Sequence, residues 1–237
     1  SISKLSHIHF VTNITAKKRL TQMGEIKKNI FIIGSPDIDI MKSKELPKLN
    51  EVKKHYGINF INYGIALLHP VTTNTINLKN ETIAFLNSIK KSKKDFILLY
   101  PNNDQGSELI FKEYKKIRSS NIRILPSMRF EYYITLLKFS NVIMGNSSSG
   151  IMEAPYFGVP TINIGDRQKN RSISKSIINC NFNEKQLLTA INYSFSKNIK
   201  HKTEIEFGYG NSFKIFNKIL FSKSLWKIDT QKQFQDV

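Results

Sequence analysis

An α/β fold with a doubly wound parallel sheet is what this sequence predicts, on two observations. Short, uninterrupted apolar runs alternate with amphipathic stretches along most of the chain. Runs of that kind suit parallel strands covered on both faces, and a helix between successive strands gives right-handed βαβ units. Residues 12–27 ("TNITAKKRLTQMGEIK") read as an amphipathic helix stopping near Gly24, and "NIFIIG" at 29–34 as a buried strand. The turn-rich "SPDIDIMKSKELP" follows as a crossing linker. "LNEVKKHYG" predicts a short helix with Gly57 as its stop signal. The strand "YGIALLHP" (63–70) ends in His69 and Pro70, a helix spans 74–91, and "DFILLYPNNDQGS" is a strand running into a polar loop. Helix 106–119, strand 122–127, helix 130–139, strand 141–145, helix 148–157 and strand 160–165 continue the alternation, and the segment after 220 is basic and weakly patterned.

A chain of 237 residues with 40% hydrophobic and 11% aromatic content is globular, with enough apolar material for a large core. Cys180 is the single cysteine. It excludes an internal disulfide and any cysteine-cluster metal site, and so favours a reducing, cytoplasmic setting. No metal and no cofactor are expected. The apolar runs fall far short of the roughly 20 residues that span a bilayer, and neither a signal peptide ahead of them nor a membrane partner is expected. The net charge of +18 is carried by lysines in "KKRL", "IKKSKKD" and "EYKKIR", interleaved with apolar residues as on solvated helix faces. Without zinc-finger spacing, an RNP signature or aromatics set among basic residues, no nucleic-acid partner is expected.

In doubly wound sheets ligands sit at the carboxyl ends of the strands, which directs attention to "HPVTTN", "YPNNDQGS", "LPSMRF", "GNSSSG" and "IGDRQ". In "GNSSSGIME", Gly145 permits a tight turn, and Ser147 to Ser149 bring hydroxyls and N–H groups to a helix start, a geometry that suits an anion. Glu153, about a turn later, can accept hydrogen bonds from a diol such as a ribose; an ordinary serine cap with an acid of the capping-box kind is the other reading. The loop is neither a Walker A motif nor a nucleophile elbow. Arg167 can reach a phosphate or pair with Asp166 on the surface. His69 points from its strand end into the same crevice or serves structure alone. Asn102 and Asp104 are ligands or plain turn formers, and Ser127 and Arg129 are ligands or helix-capping residues. His7, His9, His55 and His201 have no supporting neighbours in the sequence.

"GNSSSGIMEAPYFGVPTINIGDRQKNR", preceded by "LLHPVTTN" and "YPNNDQGS", resembles the hydrolysing UDP-N-acetylglucosamine 2-epimerases that supply N-acetylmannosamine for sialic acid synthesis. "SKLSHIHFVTN", "RLTQMGE" and "GSPDIDIM" extend the likeness over about residues 3–220. The resemblance implies a GT-B fold, two Rossmann-like domains with the active site between them. It divides this chain into the end of the N-terminal domain and linker (1–41), a C-terminal nucleotide-binding domain (42–220) and a basic tail (221–237). It also implies that His69, Asn102, Ser127, Ser147, Ser148, Glu153 and Arg167 bind the UDP portion of a UDP-sugar, with His69 the catalytic group. In that family a proton leaves C2, the C1–O bond breaks to release UDP, and water adds to the glycal with inversion at C2.

The likeness begins late, since "KLSHIHF" corresponds to a region well inside the family's first domain. The carboxylates that serve as acid and base near C2 are therefore expected upstream of Ser1. Asp37 and Asp39, in the linker, are not assigned that work. Asn170 stands where the family tends to have glycine, and Asn74 where an acid is common. An exposed apolar face and a homo-oligomer are expected. Beside the epimerase stand a GDP-sugar 2-epimerase, a GT-B glycosyltransferase, and a truncated remnant that binds nucleotide without turnover.

Overall fold

The structure is a computed structural model and describes every residue except 74, 197–199, 233–234 and 236–237. The reading of Asn74 lies outside the described residues. Two compact units are present, Ser1–Leu46 with Ile205–Val237, and Pro47–Glu204. They divide at 46/47 and 204/205, where the sequence reading divides at 41/42 and 220/221.

In chain order the first unit contains α1 (Ile2–Leu5), β1 (His9–Val11), α2 (Ile14–Gln22), β2 (Ile30–Ile32) and α3 (Pro36–Lys42). β1 and β2 pair in parallel, with His9 opposite Ile30 and Val11 opposite Ile32. The Asn13 side chain accepts from the Ala16 N–H at 2.9 Å and so starts α2, two residues later than the periodicity suggests. Glu25 is buried, and its carboxylate meets Lys4 at 3.2 Å, His9 at 2.8 Å and Lys232 at 2.6 Å.

The second unit continues with α4 (Leu49–Tyr56), β3 (Tyr63–Leu67), α5 (Leu78–Ser92), β4 (Asp95–Leu99), α6 (Ser107–Lys116), β5 (Ile122–Leu125) and α7 (Phe130–Lys138). It closes with β6 (Val142–Gly145), α8 (Glu153–Tyr156), β7 (Thr161–Ile164), β8 (Ile177–Cys180) and α9 (Glu184–Ser196); α10 (Ser212–Leu220) then belongs to the first unit. Six strands form one sheet in the order β5-β4-β3-β6-β7-β8, with every pairing parallel. Phe96, Leu98, Val142, Met144, Ile162 and Ile164 from the strands lock with Phe85, Ile89, Ile110, Tyr114 and Ile191 from α5, α6 and α9. The helices pack as two groups, α6–α5–α9 and α4–α7–α8, which right-handed crossovers place on opposite faces. The strand order reverses between β3 and β6, so their carboxyl ends open side by side.

Several elements differ from the sequence reading. "SPDIDIMKSKELP" contains α3 and is not simply a linker. Pro36 occupies the first turn, where a missing N–H is harmless, and Ile38 and Met41, three residues apart, are buried. Asp39 accepts the N–H groups of Ser212 at 2.9 Å and Phe213 at 2.8 Å, so it caps α10, a helix the sequence reading did not separate out. The continuous helix over 148–157 is instead a 3-10 turn at Ser148–Gly150 followed by the single turn of α8. Pro155 explains the break, because it has no N–H to donate to the Ile151 carbonyl. β1, β8 and α9 also went unread.

Candidate functional site

Gly145 closes β6 with φ +137°, and a Cβ there would lie 1.7 Å from the Leu67 carbonyl oxygen. Only glycine lets the end of β6 come this near to the end of β3. The close approach brings Asn146, which is buried, against the residues that follow β3. Its backbone N–H donates to the Leu67 carbonyl at 3.2 Å. Its side-chain Oδ1 accepts the His69 N–H at 2.7 Å, and its Nδ2 donates to the His69 carbonyl at 2.8 Å.

The His69 ring is tied from the loop that follows β4. The Asn102 N–H donates to His69 Nδ1 at 3.1 Å. Nδ1 therefore carries the lone pair, and in the neutral ring the proton sits on Nε2. Burial lowers the His69 pKa, the nearby Arg167 guanidinium lowers it further, and Asn102 and Asp104 oppose both without reversing the direction. At neutral pH the imidazole is uncharged and offers Nε2–H as a donor. The Asn102 side chain donates to Asp104 at 2.5 Å, as a turn former does, while its Oδ1 is buried without a hydrogen-bond partner.

On the β7 side, Arg167 Nη1 donates to the Asn146 carbonyl at 2.9 Å, and Gln168 Nε2 reaches the same oxygen at 3.2 Å. Asp166 pairs with Lys169 at 3.3 Å, so the surface pair with Arg167 is not the one formed. The guanidinium is largely exposed and retains donors that this bond does not use. Ser147 Oγ accepts the Ser149 N–H at 3.3 Å, Ser149 meets the Tyr133 hydroxyl at 2.5 Å, and Ser148 is half-buried between them in sequence. Because these serines sit in a three-residue 3-10 turn, a long helix dipole is not available to them, and hydroxyls and individual N–H groups remain. Glu153 is buried at the head of α8. Burial pushes the Tyr133 pKa up, the Ser149 hydrogen bond opposes it, and the Glu153 charge adds to the rise.

His69, Asn102, Ser147 and Arg167 are thus brought together at the β3/β6 switch point, with Ser148 and Glu153 in the adjoining turn and helix. Ser127 is not: it lies on an exposed loop after β5, two strands from β3, or roughly 10 Å. Arg129 is the exposed residue preceding α7 and makes no side-chain capping bond. Asn146 and Gln168 went unnoticed in sequence, although both stand inside the motifs that were singled out. Asn170 adopts φ +59°, a left-handed conformation that asparagine tolerates best after glycine. A polar cavity of about 280 Å³ opens beyond Gln168 at the ends of β7 and β8, lined among others by Asn170, Asn179 and Asn181. Among the described residues, no group of three His, Cys, Asp or Glu stands where it could hold a metal ion, and no helix is long and apolar enough to cross a membrane.

Doubly wound topology with polar loops gathered at a switch point defines a Rossmann-like α/β protein, and solved structures extend that to the GT-B type. The UDP-N-acetylglucosamine 2-epimerase from Neisseria meningitidis bound to UDP-GlcNAc superposes with a TM-score of 0.71 over 92% of this chain and 62% of that one, at 17% identity, a likeness of fold. The family profile described as UDP-N-acetylglucosamine 2-epimerase matches residues 1–220, and the chain belongs to that family of epimerases. A relative named UDP-N-acetylglucosamine 2-epimerase, from Neisseria meningitidis serogroup B, is 43% identical over the whole of this chain and 63% of its own length. Polysialic acid biosynthesis protein P7 from Escherichia coli is 36% identical over 82% of this chain and 50% of its own. The chain thus spans between half and two thirds of the length of these relatives.

Proposed function

We propose that this chain is the nucleotide-binding part of a hydrolysing UDP-N-acetylglucosamine 2-epimerase, yielding UDP and N-acetylmannosamine for sialic acid-type sugar synthesis. The observation that carries the reading is the meeting of His69 and Arg167 on the two sides of Asn146. Breaking the C1–O bond loads negative charge on the departing diphosphate, and donors fixed beforehand stabilise it without reorganising. His69 Nε2–H and the open guanidinium donors of Arg167 supply that, with the Ser147 and Ser148 hydroxyls beside them. Glu153 accepts from the ribose diol, Asn102 adds a contact beside His69, and Ser127, outside the switch-point cluster, is left to meet a more distant part of the nucleotide. The proton at C2 requires a base with a suitable pKa, and none of these residues is assigned to it. The relative in polysialic acid synthesis supports the sialic acid direction. In the first unit, exposed Ile14, Met23, Phe213 and Phe221 support self-association.

The test is a thermal-shift titration of this chain with UDP and GDP, followed by assay of N-acetylmannosamine release from UDP-N-acetylglucosamine. A shift with UDP and no turnover is the expected result. Turnover would show that the chain supplies its own acid and base, and absence of any nucleotide shift would overturn the reading.

A further inference from the structure

We infer that Asn146 is a positioning residue that sets the His69 imidazole for its work at the diphosphate, an inference resting on the function proposed above. Asn146 makes its contacts on both sides of the switch point. Its side-chain amide pairs with the N–H and the carbonyl of His69 at 2.7 and 2.8 Å, closing a two-bond ring with one peptide group on each side of the histidine. Its own carbonyl receives Arg167 at 2.9 Å and Gln168 at 3.2 Å. The residue is almost fully buried, so water does not compete for these bonds, and an unmade one carries its full desolvation cost.

The pairing does more than fasten two strand ends, because among the described residues the ring itself has one hydrogen bond, from the Asn102 N–H to Nδ1 at 3.1 Å. A bond to one ring nitrogen selects the tautomer but leaves the backbone of His69 free to tilt. The paired amide fixes that backbone, and the two constraints together fix where Nε2–H points. The same asparagine holds, through its carbonyl, the guanidinium that shares the load. A hydrophobic or hydroxyl residue can fill the position, but only a side chain with a donor and an acceptor on one planar group can pair with the histidine on both sides.

That last statement gives the test. In Asn146→Asp the carboxylate keeps the acceptor for the His69 N–H but faces the His69 carbonyl with a second acceptor. Protonated aspartic acid, by contrast, has the shape and the donor–acceptor pattern of the amide. Facing a carbonyl while buried raises the pKa of the introduced acid. UDP affinity is measured calorimetrically for the parent chain and N146D from pH 8 to pH 5, with circular dichroism at each pH. The parent reports His69 protonation on its own, so the ratio of the two affinities is the quantity that matters. The expected ratio is a loss of about ten- to hundredfold at pH 8, from one lost bond and one repelled carbonyl, shrinking several-fold toward pH 5. A ratio that stays constant with pH, or an unchanged affinity at pH 8, overturns the inference.

If N146D does not fold at any pH, the parent chain still decides by NMR of the Asn146 side-chain amide and the His69 backbone N–H, the two donors of the clamp. Slow solvent exchange of both protons, with His69 signals that shift on UDP binding, supports the clamp. Fast exchange of either proton in a chain that binds UDP overturns it. A parent chain that binds no UDP would instead bring down the proposed function, so the two failures are told apart.

Discussion

Replacing Gly145 by alanine tests whether the site depends on the close approach of β6 to β3 or merely on a flexible turn. At φ +137° the backbone lies in a region that is essentially glycine's alone, which costs a substituted residue about 1–3 kcal/mol. The added Cβ would also stand 1.7 Å from the Leu67 carbonyl oxygen and 2.6 Å from its carbon, both main chain, so β6 must move away from β3. Displacing packed backbone adds a further cost of about 1–3 kcal/mol. The sum, about 2–6 kcal/mol, lowers the melting temperature by about 4–24 °C for a domain of this size. Gly57→Ala is the control: its φ is also positive, +61°, but its nearest neighbour is the flexible tip of Arg123 at 3.4 Å. It should cost only about 1 kcal/mol and a few degrees. Melting curves with and without UDP read both variants, and G145A should lose UDP affinity as well, because Asn146 moves with the strand. Equal destabilisation by the two substitutions, or a G145A melt within about 2 °C of the parent, would refute the argument from close approach.

Other consequences follow from particular contacts. Burial pushes the Glu25 pKa up, but hydrogen bonds from Lys232, His9 and Lys4 outweigh it and hold the carboxyl at about 2, against 4.5 for the free group. A pKa lowered by folding stabilises fully above the unfolded value and is lost as pH falls from about 4.5 toward 2. Lys4 is half-exposed, so solvent screening reduces the gain to about 1–2 kcal/mol. Glu25→Gln should therefore flatten the acid limb of stability measured by urea melts over that window. Asp39→Ala removes the acceptor for two N–H groups at the start of α10, which should cost about 1–2 kcal/mol in the same melts. The lowered His69 pKa has the same sign, since the unfolded ring binds its proton first as pH drops below about 6.5, so this group too costs stability as pH falls. UDP affinity should rise as pH falls through the folded pKa and the ring gains charge, and His69→Asn should abolish that rise.

What could be read in the sequence follows from which physical signals are local. The strands β3, β4, β6 and β7 were legible because each is a buried apolar run, and the loops after them because a doubly wound sheet puts its ligands there. Asn146 was hidden because its partner His69 is 77 residues away; strand order, not sequence order, makes them neighbours. α3 reads as a linker because Ser35, Pro36 and Pro47 look like punctuation, although Pro36 with Asp37 and Asp39 behind it also marks a helix start. β8 pairs only with β7 and buries little beyond Cys180, so it gave no apolar run to find. The break within 148–157 is legible from Pro155 alone, since a proline there can stand only in a first turn.

The net charge of +18 suggests an electrostatic mode of binding, and the site argues for a different one. His69 is neutral at pH 7 and Arg167 is the cation aimed at Asn146, while the lysines are dispersed on helix faces. A ligand held there is held by contact-distance hydrogen bonds from groups tied in place beforehand. Raising ionic strength from 0.1 to 1 M shortens the Debye length from about 10 to about 3 Å, which removes the distant lysines from account and leaves bonds near 3 Å largely intact. UDP affinity, measured by calorimetry across that range, should therefore fall by about tenfold or less, the share of one partly screened guanidinium. A fall of about a thousandfold would mean that the diffuse charge carries the binding, as it does for proteins on nucleic acid. The His69–Asn146–Arg167 arrangement would then not be what selects the ligand.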